Sequence, residues 1–192
     1  MGKTGYSLIE LLFVLSTAVT VGAMAIPPFL AAIDDYRAAG AVRYLSTRIQ
    51  RTRMEAVSRS TKAAMQFVQE GTGYSFAIYV DGNEDGVRTS DIRNGIDRRL
   101  GAVEHLSDNY AGVDFGLLPD LPPIDQGSPP PGTDPIKLGS SALLSYASSG
   151  SSSAGSVYIR GRKVQYAIRI LGDTGRTRIL KFDPHDRLWK GL

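Results

Sequence analysis

A long uncharged apolar segment dominates the first part of the chain. No charged residue occurs from Leu11 to Ile33, a run of 23 residues. As an α-helix, this run would extend about 35 Å, which exceeds the roughly 30 Å of a bilayer's hydrocarbon core. The pattern therefore predicts one membrane-spanning helix, with Glu10 as the acidic residue at its head.

Beyond Ile33 the pattern is that of an amphipathic helix. Pro27 and Pro28 remove backbone donors, so a kink is predicted there, and the helix is expected to resume at Phe29 and continue to about Ser60. Spacings of three and four residues predict a buried face made of Val42, Leu45, Ile49, Thr52 and Ala56. The opposite side is predicted to be solvated, or else to contact neighbouring chains or anionic lipid headgroups, through Arg43, Arg48, Arg51 and Arg53.

The remaining chain alternates apolar and polar residues, which is typical of strands. Strands are predicted at residues 64–69, 73–80, 156–160, 163–171 and 176–182, with a weaker candidate at 113–118. Gly161-Arg162 is predicted to form a two-residue type II′ turn, because glycine stands first. Gly172-Asp173-Thr174-Gly175 is predicted to turn the chain into the last strand.

Two irregular stretches separate these strands. Residues 118–135 contain seven prolines and so cannot form a central strand. Residues 145–156 are rich in serine and glycine and predict a flexible loop. A long N-terminal helix followed by antiparallel hairpins predicts an α+β fold.

The N-terminus carries the motif Gly5-Tyr6-Ser7-Leu8-Ile9-Glu10-Leu11-Leu12 after a short polar leader. A carboxylate costs about 2.5–3.5 kcal/mol at the centre of a spanning helix and less near its end, so Glu10 needs an explanation. One explanation is partial hydration at the cytoplasmic headgroups. The other is cleavage after Gly5, which would give Tyr6 a free amine one helical turn before Glu10. The carboxylate would then pair with the amine of a neighbouring subunit when helices bundle.

This motif resembles the prepilin peptidase site of type IV pilins and type II secretion pseudopilins. The resemblance implies cleavage between Gly5 and Tyr6, N-methylation of Tyr6 and an assembly role for Glu10. Tyr6 stands where the family usually has phenylalanine. An ordinary secretory signal fits less well, because its apolar segment precedes the cleavage site and is removed.

Two further segments resemble the GspH/FimT group of minor pseudopilins. They are the helical residues 49–59 and the closing Gly175-Arg176-Thr177-Arg178-Ile179. The resemblance implies a pilin-like β-sandwich packed on the second half of the helix. It also implies other pilin or pseudopilin subunits, the prepilin peptidase and an inner-membrane assembly platform as partners. The predicted parts are a leader (1–5), a spanning helix (6–33), its amphipathic continuation (34–60) and a periplasmic β-rich domain (61–192).

Composition adds limits on location and chemistry. The chain has no cysteine, so its fold does not depend on disulfides or metal–thiolate sites. Lys3 in the leader suits a cytoplasmic N-terminus, which would place the β-rich domain in the periplasm. His105 and His185 lie in unrelated contexts, and no HExxH, GxSxG or Walker pattern occurs. We therefore predict a protein that is not an enzyme and has no cofactor, with calcium as the one candidate ligand.

That candidate is the acidic loop at residues 81–91, which predicts either a solvated turn or a calcium site. Oxygen ligands at alternate positions with glycine sixth resemble an EF-hand or dockerin loop. The candidate ligands are Asp81, Asn83, Asp85, the carbonyl of Val87 and Asp91. The twelfth position, acidic in such loops, is Ile92, and no flanking helix is predicted. Asp, Asn and Gly also favour simple turns, so both interpretations stay open.

Charge is distributed unevenly along the β-rich part. Residues 81–125 hold ten acidic and four basic side chains, whereas residues 156–192 hold nine basic and three acidic ones. A cationic sheet can bind phosphate backbones. A GRxR motif near the C-terminus is associated with DNA uptake by some FimT-type pilins, and Arg176 and Arg178 occupy it here on one predicted strand face. Alternatively, these arginines pair with acidic groups of this domain or of a neighbouring subunit.

The sequence therefore predicts a minor pseudopilin or pilin subunit of a type II secretion pseudopilus or type IV pilus, anchored in the inner membrane and then incorporated into the filament. Two alternatives belong to other classes. One is a DNA-binding minor pilin for natural transformation. The other is a single-pass membrane protein that never assembles and carries a ligand-binding β domain.

Overall fold

The computed structural model describes residues 5–125 and 127–192, so residues 1–4 of the predicted leader lie outside it. One helix, α1, covers Leu8–Ser58. It continues through Pro27 and Pro28, so the expected break before Phe29 is wrong, while the kink stays a prediction. Each proline removes one backbone donor, and the turns on either side keep the helix continuous. This helix is long and apolar enough to cross a membrane.

The rest of the described chain is mainly antiparallel β-structure, which confirms the α+β class. The strands are β1 (Ala63–Glu70), β2 (Gly73–Val80), β3 (Arg98–His105), β4 (Asp114–Phe115), β5 (Ile136–Lys137), β6 (Leu143–Tyr146), β7 (Gly155–Arg160), β8 (Gln165–Leu171), β9 (Arg176–Asp183) and β10 (Leu188–Gly191). Two short helices, α2 (Thr89–Arg93) and α3 (Leu106–Asn109), flank β3.

These strands form two sheets. The first has the order β3-β2-β1-β6, and the second has the order β10-β9-β8-β7-β4, with β5 also paired to β7. The β1–β2 and β7–β8 pairs are the two predicted hairpins. The predicted turn at Gly172–Gly175 is also present, because Leu171 pairs with Arg176.

Several strands depart from the sequence prediction. The strand predicted at 113–118 shrinks to Asp114–Phe115. The predicted serine/glycine loop is shorter than 145–156, because β6 extends to Tyr146 and β7 starts at Gly155. Two hydrogen bonds hold the centre of this loop in place. Arg53 Nε donates to the Gly150 carbonyl (3.1 Å), and the Ser152 amide donates to the Gly172 carbonyl (2.8 Å). Apart from Gln126, which lies outside the described residues, no residue of 118–135 is in a strand, as predicted.

A stripe along the second half of α1 organises the core. Its buried members are Ala38, Ala41, Val42, Leu45, Ile49, Thr52 and Ala56, which confirms the predicted face. The stripe joins apolar residues of both sheets in one hydrophobic cluster, which includes Met65, Phe76 and Leu144 from the first sheet and Ile159, Ile168 and Ile170 from the second. Burial of each large aliphatic side chain stabilises the fold by about 1.5–3 kcal/mol.

The helix arginines do not form one solvated face. Arg48 makes a salt bridge and hydrogen bonds with Glu104 of β3, and Tyr44 donates to the same carboxylate. Arg53 donates to the Gly150 carbonyl. Arg43 and Arg51 are exposed, as predicted. The prediction fails for Arg48 and Arg53 because these long side chains lie beside the buried stripe and reach groups distant in sequence, on β3 and in the loop at Gly150.

The turn between β7 and β8 has a form that the sequence did not predict. Arg160 pairs with Gln165, so four residues form the turn, and the predicted two-residue type II′ turn is wrong. The carboxylate of Asp34, on α1, accepts hydrogen bonds from the amides of Arg162 (2.9 Å) and Lys163 (3.0 Å). A β-carbon at Gly161 would lie 2.8 Å from Asp34 Oδ1. Glycine is therefore needed for close approach to the helix.

The next residue, Asp35, makes a second connection between α1 and the second sheet. Its carboxylate accepts hydrogen bonds from the Tyr166 hydroxyl (2.8 Å) and from Lys181 Nζ (2.8 Å). Burial alone would raise the pKa of Asp35, but the hydrogen bonds from Lys181 and Tyr166 outweigh it and lower that pKa. Burial and the Asp35 carboxylate both raise the pKa of Tyr166. The first two charged residues after the apolar segment therefore anchor the β-rich domain.

We predict that Asp34→Ala lowers the free energy of unfolding by about 1–3 kcal/mol, because two turn amides lose a charged acceptor. The measurement is chemical unfolding of the full chain in detergent, followed by far-UV circular dichroism. Asp173→Ala is the matched control, since Asp173 lies in another hairpin turn and its exposed carboxylate accepts no hydrogen bond from the described residues. Equal stability of the two variants would show that the Asp34 contact contributes nothing.

Candidate functional site

The segment before the β-rich domain leaves its apolar side chains uncovered. From Gly5 to Ala32 every residue except Gly22 is exposed, and Tyr6 is 78% exposed. The large apolar side chains in this segment include Leu8, Leu12, Phe13, Leu15, Val19, Met24 and Phe29. When a chain exposes an apolar surface of this extent, that surface marks a site of contact with a membrane or with another protein.

Glu10 lies in the first turn of α1, where Ser7 is the N-cap residue. The positive end of the helix dipole favours an acidic side chain there. Glu10 is exposed, and among the residues that the structure describes none forms a salt bridge with it. Gly5 and Tyr6 precede the helix in extended or irregular backbone, also exposed. The carboxylate is thus open to a partner outside the described chain.

Arg176 and Arg178 lie on the outer face of the second sheet. Both are exposed, whereas Thr177 between them faces α1 and accepts a hydrogen bond from Gln50 Nε2 (3.0 Å). Arg178 pairs in register with Arg169 of β8, which brings a third arginine to this face. Arg169 makes a salt bridge with Asp125 (2.7 Å), while no described residue makes a salt bridge with Arg176 or Arg178.

The proline-rich segment covers the part of that face next to the arginines. Leu117 and Ile124 pack on a small cluster formed by Tyr158, Ala167, Leu180 and Trp189. The indole Nε1 of Trp189 donates to the carbonyl of Pro122 (2.9 Å). Asp125 of this segment is the partner of Arg169. Because Arg169 is paired and part of the sheet face is covered, the exposed basic surface is smaller than the number of basic residues in 156–192 suggests.

The loop at residues 81–91 brings together three of the candidate calcium ligands. Asp81 accepts hydrogen bonds from the amides of Asn83, Glu84 and Gly86, at 3.1, 2.9 and 2.7 Å. The amide nitrogen of the Asn83 side chain, in its donating orientation, lies 3.0 Å from Asp81 Oδ1 and 2.8 Å from Asp85 Oδ1. Val87 is buried against Ala64 and Leu143. Asp91 belongs to α2, where Ser90 Oγ donates to its carboxylate.

Two features of this loop were not predicted. A short helix, α2, begins within its last residues at Thr89, although no flanking helix was expected. Asp97, which is buried, closes the loop by accepting hydrogen bonds from the amides of Gly82 (3.1 Å) and Arg88 (3.0 Å). Gly82 is needed, because a β-carbon there would lie 2.1 Å from the Ile96 carbonyl oxygen. Across residues 5–125 and 127–192, no three His, Cys, Asp or Glu side chains are arranged to hold a metal ion.

His105, one of the two histidines, takes part in a network of carboxylates at the surface. Its Nε2 lies 3.2 Å from Glu70 Oε2, and its Nδ1 lies 3.5 Å from Asp108 Oδ2. The Glu70 hydrogen bond raises the pKa of His105, and the hydrogen bonds from Ser75 and His105 lower the pKa of Glu70. The network joins the β1–β2 turn to the end of β3.

Comparisons of the chain with protein-family models, with characterised proteins and with solved structures found no match.

We predict that calcium raises the melting temperature of the full chain in detergent, measured in 1 mM CaCl₂ against EDTA. A ligand at about 100 times its dissociation constant stabilises a fold by about 2.7 kcal/mol, which is about 5–10 °C for a domain of this size. Asp85→Ala should abolish the shift, because it removes the side-chain oxygen ligands of residue 85 while Asp81 and Asp97 keep the loop closed. An unchanged melting temperature at millimolar calcium would leave the solvated turn as the interpretation.

Proposed function

We propose that this chain is a minor pseudopilin or minor pilin of the GspH/FimT type. It is anchored in the inner membrane by α1, with the β-rich domain in the periplasm. The prepilin peptidase cleaves between Gly5 and Tyr6 and methylates Tyr6, and an inner-membrane platform then assembles the subunit into a pseudopilus or pilus. The role is structural and not enzymatic.

The observation that carries this proposal is the exposed, uncharged half of α1, at whose head Glu10 makes no salt bridge with a described residue. A spanning helix needs only apolar length, and the favourable dipole at its N-terminus offsets only part of the free energy that Glu10 costs on insertion. A helix that moves from the membrane into a bundle of identical or related helices gives this carboxylate a partner, the amine created at Tyr6. The ion pair in the assembled filament would therefore explain why the helix carries Glu10.

The way in which the two sheets pack is part of the same proposal. We infer a pilin-like β-sandwich in which the two antiparallel sheets face each other over the second half of α1. The shared hydrophobic cluster supports this arrangement, as do edge-to-face contacts of Phe115 of β4 with Phe67 (5.5 Å) and Phe76 (6.0 Å) of the first sheet. Such a domain would lie at the surface or tip of the filament.

Glu10→Ala should leave cleavage after Gly5 intact and stop incorporation, because the peptidase acts before assembly and only assembly needs the carboxylate. The measurements are the mass of the N-terminal peptide and the amount of subunit in sheared filaments. Both are made in cells that express a compatible assembly machine. Glu55→Ala is the control, since Glu55 lies on the same helix and its salt bridges with described residues are those to Arg51 and Arg59.

Two results would contradict this proposal. Wild-type incorporation of Glu10→Ala would remove the proposed role of the carboxylate. A wild-type chain that stays uncleaved but inserted in the membrane would favour the single-pass protein that never assembles.

A DNA-binding minor pilin is the second candidate function, favoured by the basic face. Arg176 and Arg178 are exposed on one side of β9 without a salt bridge to a described residue. Adjacent guanidinium groups on a flat sheet suit contacts with successive phosphates, which carry no sequence information. This role would add to the assembly role, because a subunit at the filament tip can carry the β-rich domain to DNA outside the membrane.

Arg176→Ala/Arg178→Ala is expected to weaken DNA binding at least tenfold, and binding by the unmodified chain should fall steeply with salt as counterions are released. The measurement is fluorescence anisotropy of labelled duplex DNA with the full chain in detergent at two salt concentrations. Arg98→Ala/Arg99→Ala is the matched control, because these exposed arginines lie on β3 of the other sheet. Binding that the control weakens equally, or no binding at low salt, would reject this function.

A further inference from the structure

A cleft lies where α1 passes from its uncharged segment to the β-rich domain. Its lining residues are Ala32, Ile33, Tyr36, Arg37, Gly40, Arg43, Asn109 and Tyr110. The α1 members follow spacings of three and four residues, so they share one face of the helix. That face differs from the buried stripe that begins at Ala38, and it is open to solvent. The last two residues belong to the end of α3 and the loop after it.

The wall of this cleft is fixed in place. A β-carbon at Gly40 would lie 2.8 Å from Cε1 of Tyr110, so the ring packs directly on the helix backbone. The Tyr110 ring also lies 6.0 Å from the ring of Tyr44. At the other side Tyr36 is 81% exposed. Amphipathic aromatic rings of this kind are enriched at the boundary between membrane and water.

The charge at this end of the domain is positive. Arg37 and Arg43 are exposed, and no described residue makes a salt bridge with either; Arg37 Nη1 donates only a long bond to the Ala111 carbonyl (3.5 Å). The two nearest carboxylates on α1 do not neutralise them, because Asp34 binds the β7–β8 turn and Asp35 binds Tyr166 and Lys181. The anchored turn also carries Arg162 and Lys163, both exposed.

We propose that this cleft binds the headgroup of an anionic phospholipid from the membrane that α1 spans. The proposal rests on the membrane insertion contained in the proposed function. The phosphate oxygens would accept hydrogen bonds from Arg37 and Arg43, and the upper part of the acyl chains would contact Ala32 and Ile33. The ring of Tyr36 would lie at the headgroup level. The contact holds the β-rich domain against the membrane before the subunit is extracted.

The position of the cations along the helix fits this occupant. Arg37 starts about 6 Å beyond Ile33 along the axis, which matches a headgroup layer of roughly 5–7 Å on each side of the hydrocarbon core. Arg43 starts about 15 Å beyond Ile33, but helical side chains tilt toward the N-terminus and arginine is long and flexible. Its guanidinium can therefore extend back toward the same layer.

The test uses the full chain in a non-ionic detergent with equal amounts of phosphatidylglycerol and phosphatidylcholine. Native mass spectrometry counts the lipids retained. The unmodified chain should retain phosphatidylglycerol in preference. Arg37→Gln/Arg43→Gln should lower that retention at least tenfold, because each cation at an anionic surface contributes about a fivefold factor in affinity. Arg98→Gln/Arg99→Gln, which removes the same charge from exposed residues of β3 near the C-terminal end of α1, should retain the lipid normally. Melting temperatures would check that both variants are folded.

Each outcome has a defined meaning. Equal retention of the two lipids by the unmodified chain, or equal loss in both variants, would overturn the proposal. A loss of self-association without loss of phosphatidylglycerol would assign the cleft to a neighbouring subunit instead. Membrane insertion is measured separately by resistance of the chain to alkaline carbonate extraction. An inserted chain with no lipid preference would reject only the lipid site, whereas an extractable chain would reject the anchored subunit as well.

Discussion

The fold depends on one stripe of α1, from Ala38 to Ala56, that both sheets use to bury their apolar faces. Three of its seven members are alanines, which let strands approach the helix closely, and Leu45 and Ile49 supply most of its apolar volume. Thr52 is tolerated there because its hydroxyl donates to the Arg48 carbonyl (3.0 Å). Without this stripe, each sheet would expose one face to water.

The same helix also carries the exposed apolar segment, and the change from that segment to the buried stripe occurs within a few residues. Up to Ala32 nearly all described residues are exposed and most are apolar, whereas from Ala38 to Ala56 one face is buried. Asp34 and Asp35 lie at this boundary, where their charges prevent the apolar segment from extending further. Each carboxylate is bound by groups of the second sheet, so the residues that end the apolar segment also fix the domain relative to it.

Sequence patterns predicted the elements whose stability is local or whose faces are strongly amphipathic. The α1 stripe and the β1–β2 and β7–β8 hairpins have clear periodicity, and all are present. The sequence did not predict strand β3, because most of its residues are exposed and its apolar and polar residues do not alternate. The four-residue turn after β7 depends on Asp34, more than 120 residues earlier, and no local rule reports such a contact.

The candidate sites show the same division between local and distant causes. The placement of Arg176 and Arg178 on one face follows from the two-residue period of a strand. The neutralisation of Arg169 by Asp125 does not, because it needs the proline-rich segment to fold back over β7, β8 and β10. Likewise Asp97 closes the acidic loop from outside the motif. The motif alone therefore does not reveal that the amides of Gly82 and Arg88 already donate hydrogen bonds to a carboxylate. Tertiary contacts thus decide which charges of this chain are used internally and which are open to a partner.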